Sequence, residues 1–291
     1  MTSGVPYAEV IGDPIAHSKS PLIHGFWLQK LDLEADYRAT RVVEAELAAY
    51  LHARRRDPNW RGCNVTMPLK QAVVSYAAKV SRDVESIGAA NCLVPDSDTS
   101  LSAFNFDVDG VANPLLRLAK ANYSNHVATY VYLIGSGGAA RAAGLGASRA
   151  GYFDFDIFAR NREQALILAG MLGTPFGEAQ SLEALGPIGN ASDGPEAQRY
   201  SHVIINATPM GMRGKEDVPV DLSAFYPDTI VFDMVYDPLE TGLLRQARER
   251  GMRTIDGLTM LVEQAALSFA RFFGVPAPRE FDAELCKLLV A

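Results

Sequence analysis

The stretch from Val127 to Ala150, VATYVYLIGSGGAARAAGLGASRA, constrains the fold more than any other part of the sequence. An apolar run rich in β-branched and aromatic residues, as in a buried parallel strand, leads into a glycine-rich turn and then a helix of small residues. The turn carries G-x-G-x-x-A at Gly135, Gly137 and Ala140. Gly135 permits the tight turn, Gly137 lets the backbone approach a pyrophosphate, and Ala140 allows the helix to pack closely on the strand. The helix start then offers unpaired N–H groups and its positive dipole end to phosphate. A turn that needs glycine for geometry alone is the other reading of these residues.

The rhythm continues downstream. YFDFDIFA, HVIIN, TIVFD and MRTID read as strands, and NREQALILAGML and GLLRQARERG as helices. Alternation of this kind predicts a parallel α/β sheet, here a Rossmann-type dinucleotide-binding domain over 109–256. The end of its second strand selects the cofactor. An NAD site usually places Asp or Glu there to take the ribose hydroxyls. Asp154 and Asp156 lie inside the strand instead, and the tip reads Ala159, Arg160, Asn161, Arg162. A guanidinium takes a 2′-phosphate bidentately, so NADP(H) is favoured over NAD. The alternative is a basic start to a surface helix.

Upstream, YAEVIGDPIAHS reads as a strand broken by Gly12, Asp13 and Pro14, with Ser20 as N-cap and Pro21 opening a helix. Glu44 to Arg56 reads as an amphipathic helix, and GCNVTMP as a strand edge before a helix opened by Pro68. GAANCLVPDSDTSLSAFNFDVDG reads as a hairpin with its loop at Pro95 to Thr99, ending in a polar loop from Asn105 to Gly110. The expected fold class is α/β with two domains: an α/β substrate domain with a mainly parallel sheet over 1–108, then the nucleotide domain. Lys70 falls in the first turn of its helix, where the dipole disfavours a cation and readies the amine for proton transfer. Asp107 stands in the following polar loop. A lysine paired with a carboxylate can pass a proton while a nicotinamide carries hydride. Spacing alone also allows a solvated helix lysine and a turn aspartate.

Composition excludes several classes. The 291 residues hold 27 Lys+Arg and 34 Asp+Glu, a net charge of −7, which argues against nucleic-acid binding. No apolar run approaches the ~20 residues of a membrane span, and no secretory leader opens the chain. Cys63, Cys92 and Cys286 form neither a disulfide framework nor a zinc motif, which fits a reducing cytoplasm and no metal. The sequons at Asn122 to Ser124 and Asn190 to Ser192 are then chance, and Pro187 to Gln198 reads as an exposed loop. A small-molecule substrate, no nucleic acid or membrane partner, and a monomer or homodimer are expected.

Motifs along nearly the whole chain resemble the shikimate dehydrogenase family. GDPIAHSKSPLIH is similar to its G-x-P-x-x-H-S-x-S-P-x-x-H opening, and NVTMPLK to N-V-T-x-P-x-K. GAAN and FNFDVDG resemble G-A-x-N-T and N-T-D-x-x-G, and GSGGAARA its phosphate loop. NATPMGM, FDMVYDPLETGLL and DGLTMLVEQAALSF resemble its later blocks. The resemblance implies Lys70 and Asp107 as the dyad at the reacting oxygen, and Ser18 and Ser20 as donors to the substrate carboxylate. Thr66, Asn91, Tyr236 and Gln264 would bond the ring hydroxyls and neighbouring groups. Gly135, Gly137, Gly138, Ala139, Arg160, Asn161, Thr208 and Met260 would line the cofactor site. Read alone, Ser20 is a plain N-cap, Asn91 a turn residue, Gln264 an exposed helix position and Tyr236 partial core. His17 and His24 read as structural. Met67, Met210 and Met260 read as packing groups, Met260 also as a neighbour of the nicotinamide. The resemblance further implies that 257–291 return to the first domain.

Five positions depart from the family pattern: Cys92, Phe106 and Asn161 where it has threonine, Ala103 where it has glycine, and Ala159 where it has asparagine. The dyad survives, so the function implied is reversible NADPH-dependent reduction of 3-dehydroshikimate to shikimate. The alternatives are a quinate/shikimate dehydrogenase or divergent paralogue with another substrate or NAD, and a nucleotide-binding sensor that lost catalysis. If Arg160 reads the 2′-phosphate, Arg160→Ala raises the KM for NADPH by the equivalent of about 1.5–3 kcal/mol and leaves the KM for NADH unchanged. Steady-state kinetics with both cofactors check this; equal losses would show that Arg160 does not read the phosphate.

Overall fold

The structure, a computed structural model, describes residues 4–120, 128–174, 179–184, 200–225 and 227–290. Both sequons and the loop from Pro187 to Gln198 lie outside the described residues. The chain divides into two compact units, 1–106 with 262–291, and 107–261. Asp107 and Met260 therefore both belong to the second unit.

In the first unit the six-residue run YAEVIG is buried throughout as strand β1 (Tyr7–Gly12). Burial on both faces suits the centre of a sheet, and β1 pairs in parallel with β2 (Asp36–Arg41) and β3 (Trp60–Val65). The sheet order is β2-β1-β3-β5-β6-β4, with β4 at Lys79–Val80 and the antiparallel hairpin β5 (Cys92–Pro95) and β6 (Leu101–Phe104). Helices α1 (Ser20–Lys30), α2 (Leu47–Arg54) and α3 (Arg82–Ile87) accompany it. Glu9, fully buried on β1, receives Arg54 Nε at 2.7 Å and the Thr40 hydroxyl, so its charge is paired within the core.

Three local expectations change. Lys19, not Ser20, occupies the N-cap of α1, and Ser20 is the first helical residue. The segment from Glu44 is a short 3₁₀ turn, Glu44–Glu46, before α2. After Pro68 the chain makes turns and then a 3₁₀ helix over Ala72–Tyr76, so Lys70 has no α-helical dipole behind it.

The second unit opens with α4 (Asp107–Lys120), whose first turn occupies the end of the polar loop expected from Asn105 to Gly110. Pro114 inside the helix disguised the pattern. Then follow β7 (Ala128–Ile134), α5 (Gly138–Arg149), β8 (Asp154–Phe158), α6 (Arg162–Leu172), β9 (Ala179–Gln180) and β10 (Tyr200–Asn206). After these come β11 (Ile230–Asp233), α7 (Gly242–Glu249) and β12 (Arg253–Ile255). The six strands pair wholly in parallel in the order β12-β11-β10-β7-β8-β9. Val131, Leu133, Ile157 and Ile205 fill the core on one face, and Tyr132, Ile134, Phe158 and Ile204 that on the other. A Cβ on Gly146 would lie 2.6 Å from the Val108 carbonyl oxygen, so this glycine admits α4 against α5. Helix α8 (Gly257–Phe273) and α9 (Asp282–Val290) complete the chain. Among the described residues no helix is long and apolar enough to cross a membrane.

Of the two histidines read as structural, His17 is exposed and takes no part in a core. His24 is buried, stacked on Tyr37 at 3.9 Å and edge-on to Trp27 at 5.7 Å. Neither ring nitrogen has a hydrogen-bond partner among the described residues. Burial pushes its pKa down from 6.5 to about 3. The unfolded chain therefore binds the proton that the folded chain refuses, and stability falls as pH drops from 6.5 toward 3. His24→Phe should flatten this dependence by about 2 kcal/mol between about pH 7 and about pH 5, read by urea unfolding. A pH dependence unchanged by the substitution would assign the acid sensitivity elsewhere.

Candidate active site

In the second unit the candidate residues follow from strand register. Phe158, Ile134, Asn206 and Asp233 form one row across β8, β7, β10 and β11. Because these strands are parallel, the four chains leave the sheet on the same side immediately after this row. Chain order reverses between β7 and β10, the kind of switch point where ligands bind in open α/β sheets.

Gly135 leaves β7 with φ +120°, a conformation that L side chains rarely adopt. A Cβ there would lie 3.1 Å from the Ala207 carbonyl oxygen. Gly137 is the N-cap of α5, and a Cβ on it would meet nothing within 4 Å, which leaves its backbone open to a ligand. Gly138 and Ala139 begin α5, where N–H groups lack helical acceptors. These features fit a dinucleotide pyrophosphate. At the tip of β8, Arg160 is exposed and no carboxylate lies between 159 and 162. Asn161 caps α6, its side-chain oxygen accepting from Gln164 N at 3.0 Å. Thr208 is tied to Asn206, donating its hydroxyl to Asn206 Oδ1 at 2.7 Å and its amide to the same oxygen at 3.1 Å. Tyr236 is half-buried, and burial, then the neighbouring Asp237 charge, raises its phenol pKa. Met260 is buried within the second unit's core, a packing role that the sequence allowed. Asp107, buried, is the first residue of α4 and so stands at the helix end that favours a carboxylate.

The first unit holds the other candidates. Ser18 Oγ accepts from Ser20 N at 3.3 Å, and the intervening Lys19 donates its ammonium to the Leu289 carbonyl. Thr66 follows β3 and donates its amide to Ile11 O at 2.9 Å. Buried Leu69 anchors the turn that carries Lys70, whose carbonyl accepts from Ala90 N at 2.8 Å. Asn91 Oδ1 accepts from Phe106 N at 2.8 Å, and its Nδ2 donates to Gln264 Oε1 at 3.3 Å. Gln264 is thus buried rather than an exposed helix position.

The sequence reading missed Asn64. It accepts from the Tyr37 hydroxyl at 2.6 Å and donates to Asn91 O at 3.2 Å. Tyr37, Asn64, Asn91 and Gln264 thus form one polar chain. A polar residue between Cys63 and Val65 inside an apolar strand was the available clue. Phe106 stacks on Phe104 at 5.7 Å, under the Arg271 guanidinium, which lies 4.5 Å from the Phe104 ring. Burial raises the Cys92 thiol pKa and keeps it protonated and inert. Met67, expected to pack, is instead 61% exposed. Among the described residues no cluster could hold a metal ion.

The family model for the shikimate dehydrogenase substrate binding domain matches residues 10–93, and that for the shikimate 5′-dehydrogenase C-terminal domain matches 257–283. A shikimate dehydrogenase (NADP(+)) of Sphingopyxis alaskensis is 44% identical over 287 residues, 98% of this chain and 97% of its own. One from Cereibacter sphaeroides is 38% identical over 93% of this chain and 92% of its own. The crystal structure of shikimate 5-dehydrogenase from Thermus thermophilus in complex with NADP(H) and shikimate superposes with TM-score 0.78. It is 31% identical and covers 98% of this chain and 99% of its own.

Asn91→Ala would leave the buried Phe106 amide and Gln264 carbonyl oxygen without this partner, at a cost of about 1–3 kcal/mol. Urea unfolding measures it, and a loss below about 0.5 kcal/mol would show that other groups satisfy both.

Proposed function

The chain belongs to the shikimate dehydrogenase family, and from that membership we propose how its residues divide the work of the reaction. The single observation that carries the assignment is 44% identity over 98% of the chain to a shikimate dehydrogenase (NADP(+)). The protein is an NADP-dependent oxidoreductase that reversibly reduces 3-dehydroshikimate to shikimate. NADPH, when bound, supplies the hydride. Gly135, Gly137, Gly138 and Ala139 receive its pyrophosphate, Arg160 takes the 2′-phosphate, and Thr208 holds the nucleotide from the turn after β10.

Ser18 and Ser20 bind the substrate carboxylate through hydroxyl donors, a placement supported by the bond that already joins them, Ser20 N to Ser18 Oγ. Thr66, Asn91, Tyr236 and Gln264 orient the ring. With Asn91 already bonded to Gln264 and to the buried Phe106 amide, little reorganisation remains when substrate arrives. As hydride reaches the carbonyl carbon, negative charge develops on its oxygen, and that oxygen must gain a proton. Lys70 delivers this proton and Asp107 orients and stabilises the ammonium; in the reverse direction Lys70 accepts the proton from the hydroxyl. The Phe104–Phe106 stack puts an aromatic pair immediately before Asp107 in sequence, where it stiffens the approach to the carboxylate.

Purified protein with NADPH and 3-dehydroshikimate should show loss of nicotinamide absorbance, and in the reverse direction the gain of absorbance with quinate and NAD should be slower than with shikimate and NADP. Absence of turnover on 3-dehydroshikimate would overturn the assignment. Lys70→Ala should lower kcat by about 10²–10⁴-fold with NADPH affinity almost unchanged. A Lys70→Ala enzyme with near-normal kcat would remove the lysine from the proton path.

A further inference from the structure

The buried carboxylate of Asp233 belongs to none of the groups assigned above, yet it joins three segments of the second unit. Its Oδ1 accepts from Asn206 Nδ2 at 2.9 Å and from Val235 N at 3.1 Å. Its Oδ2 accepts from the Thr241 hydroxyl at 2.6 Å. Thr241 in turn caps α7, its hydroxyl oxygen accepting from Leu244 N at 3.2 Å. Burial raises the carboxyl pKa, and these three donors oppose that rise.

Asn206 spends its whole amide between Asp233 and the turn that follows β10. Nδ2 also donates to Met210 O at 3.0 Å, while Oδ1 accepts both the amide and the hydroxyl of Thr208. The Thr208 hydroxyl oxygen then accepts from Met210 N at 3.1 Å, which closes the turn. Asn206 and Asp233 are register partners on β10 and β11, so the contact follows from strand pairing. Gly211, at φ +85°, brings the far end of the loop close: a Cβ there would lie 3.8 Å from Asp233 Oδ2.

We propose that Asp233 is a positioning residue for the nucleotide site: through Asn206 it fixes the turn that presents Thr208. An asparagine side chain can rotate so that its donor and acceptor exchange places. The carboxylate has no donor to offer, so it accepts only the NH₂ end of Asn206 and leaves Oδ1 facing Thr208. The inference rests on the reading that Thr208 holds the cofactor.

The test compares Asp233→Ala, Asp233→Asn, Thr208→Val and the Asp233→Ala/Thr208→Val double variant in the full-length enzyme, with folding checked by circular dichroism. Wild-type NADPH affinity and turnover are measured first, so that failure of the cofactor assignment is separable from failure of this inference. Asp233→Ala should raise the KM for NADPH about tenfold, a loss comparable to one charged hydrogen bond, with kcat within about threefold of wild type. Asp233→Asn can keep an acceptor toward Asn206 and Val235 and should stay within about threefold of the wild-type KM. Since Asp233 acts through Thr208, the double variant should be no worse than the poorer single one. Asp233→Ser is too short to reach Asn206 and carries the alanine expectation if that variant does not fold. A folded Asp233→Ala or Asp233→Ser enzyme with wild-type KM for NADPH would overturn the proposal, as would losses that multiply in the double variant. Thr208→Val with unchanged KM would overturn it as well.

Discussion

The parallel register of the second sheet is the constraint from which its functional geometry follows. Phe158, Ile134, Asn206 and Asp233 stand in one row, so everything placed just after them emerges together. Gly135, Arg160, Thr208 and Tyr236 come from four different strands but share this exit. A one-residue slip of any strand would turn its side chains to the opposite face. The apolar residues on both faces, such as Leu133 and Ile134 on β7, hold the register against such slips.

The two units handle buried polarity in related ways. In the first, Glu9 is paired with Arg54 and accepts from the Thr40 hydroxyl, and a polar chain runs from Tyr37 to Gln264. In the second, Asp233 sits among three donors. Glu9, Asn91 and Asp233 are each bonded to more than one partner, which is what makes such groups tolerable and also fixes their orientation. His24 is handled differently: with no partner for either ring nitrogen among the described residues, it stays in the core by remaining neutral.

The Rossmann-type unit was legible because each piece is local: an apolar run, a glycine turn, and a helix of small residues around Ala140. The absence of a carboxylate beside Arg160 was equally plain. Helix α4 was not, since Pro114 and the acidic start at Asp107 and Asp109 look like loop residues until packing against Gly146 is known. The nearby proline suggests an α-helix at Lys70, but the chain makes turns there and a 3₁₀ helix only from Ala72. Asn161 shows that one side chain can satisfy a local rule: it caps α6, as its type favours.

The sequence by itself determined the strand and helix alternation, the glycine positions that a phosphate loop requires, and the family, through motifs quoted residue by residue. These depend on side-chain type and spacing along the chain. Only the tertiary structure decided that Asn64 joins Asn91, that Asn206 faces Asp233, and that Gln264 is buried while Met67 is exposed. Those facts depend on which strands pair and in what register, and residues 27 positions apart, as in both asparagine contacts, become neighbours only when the sheet forms.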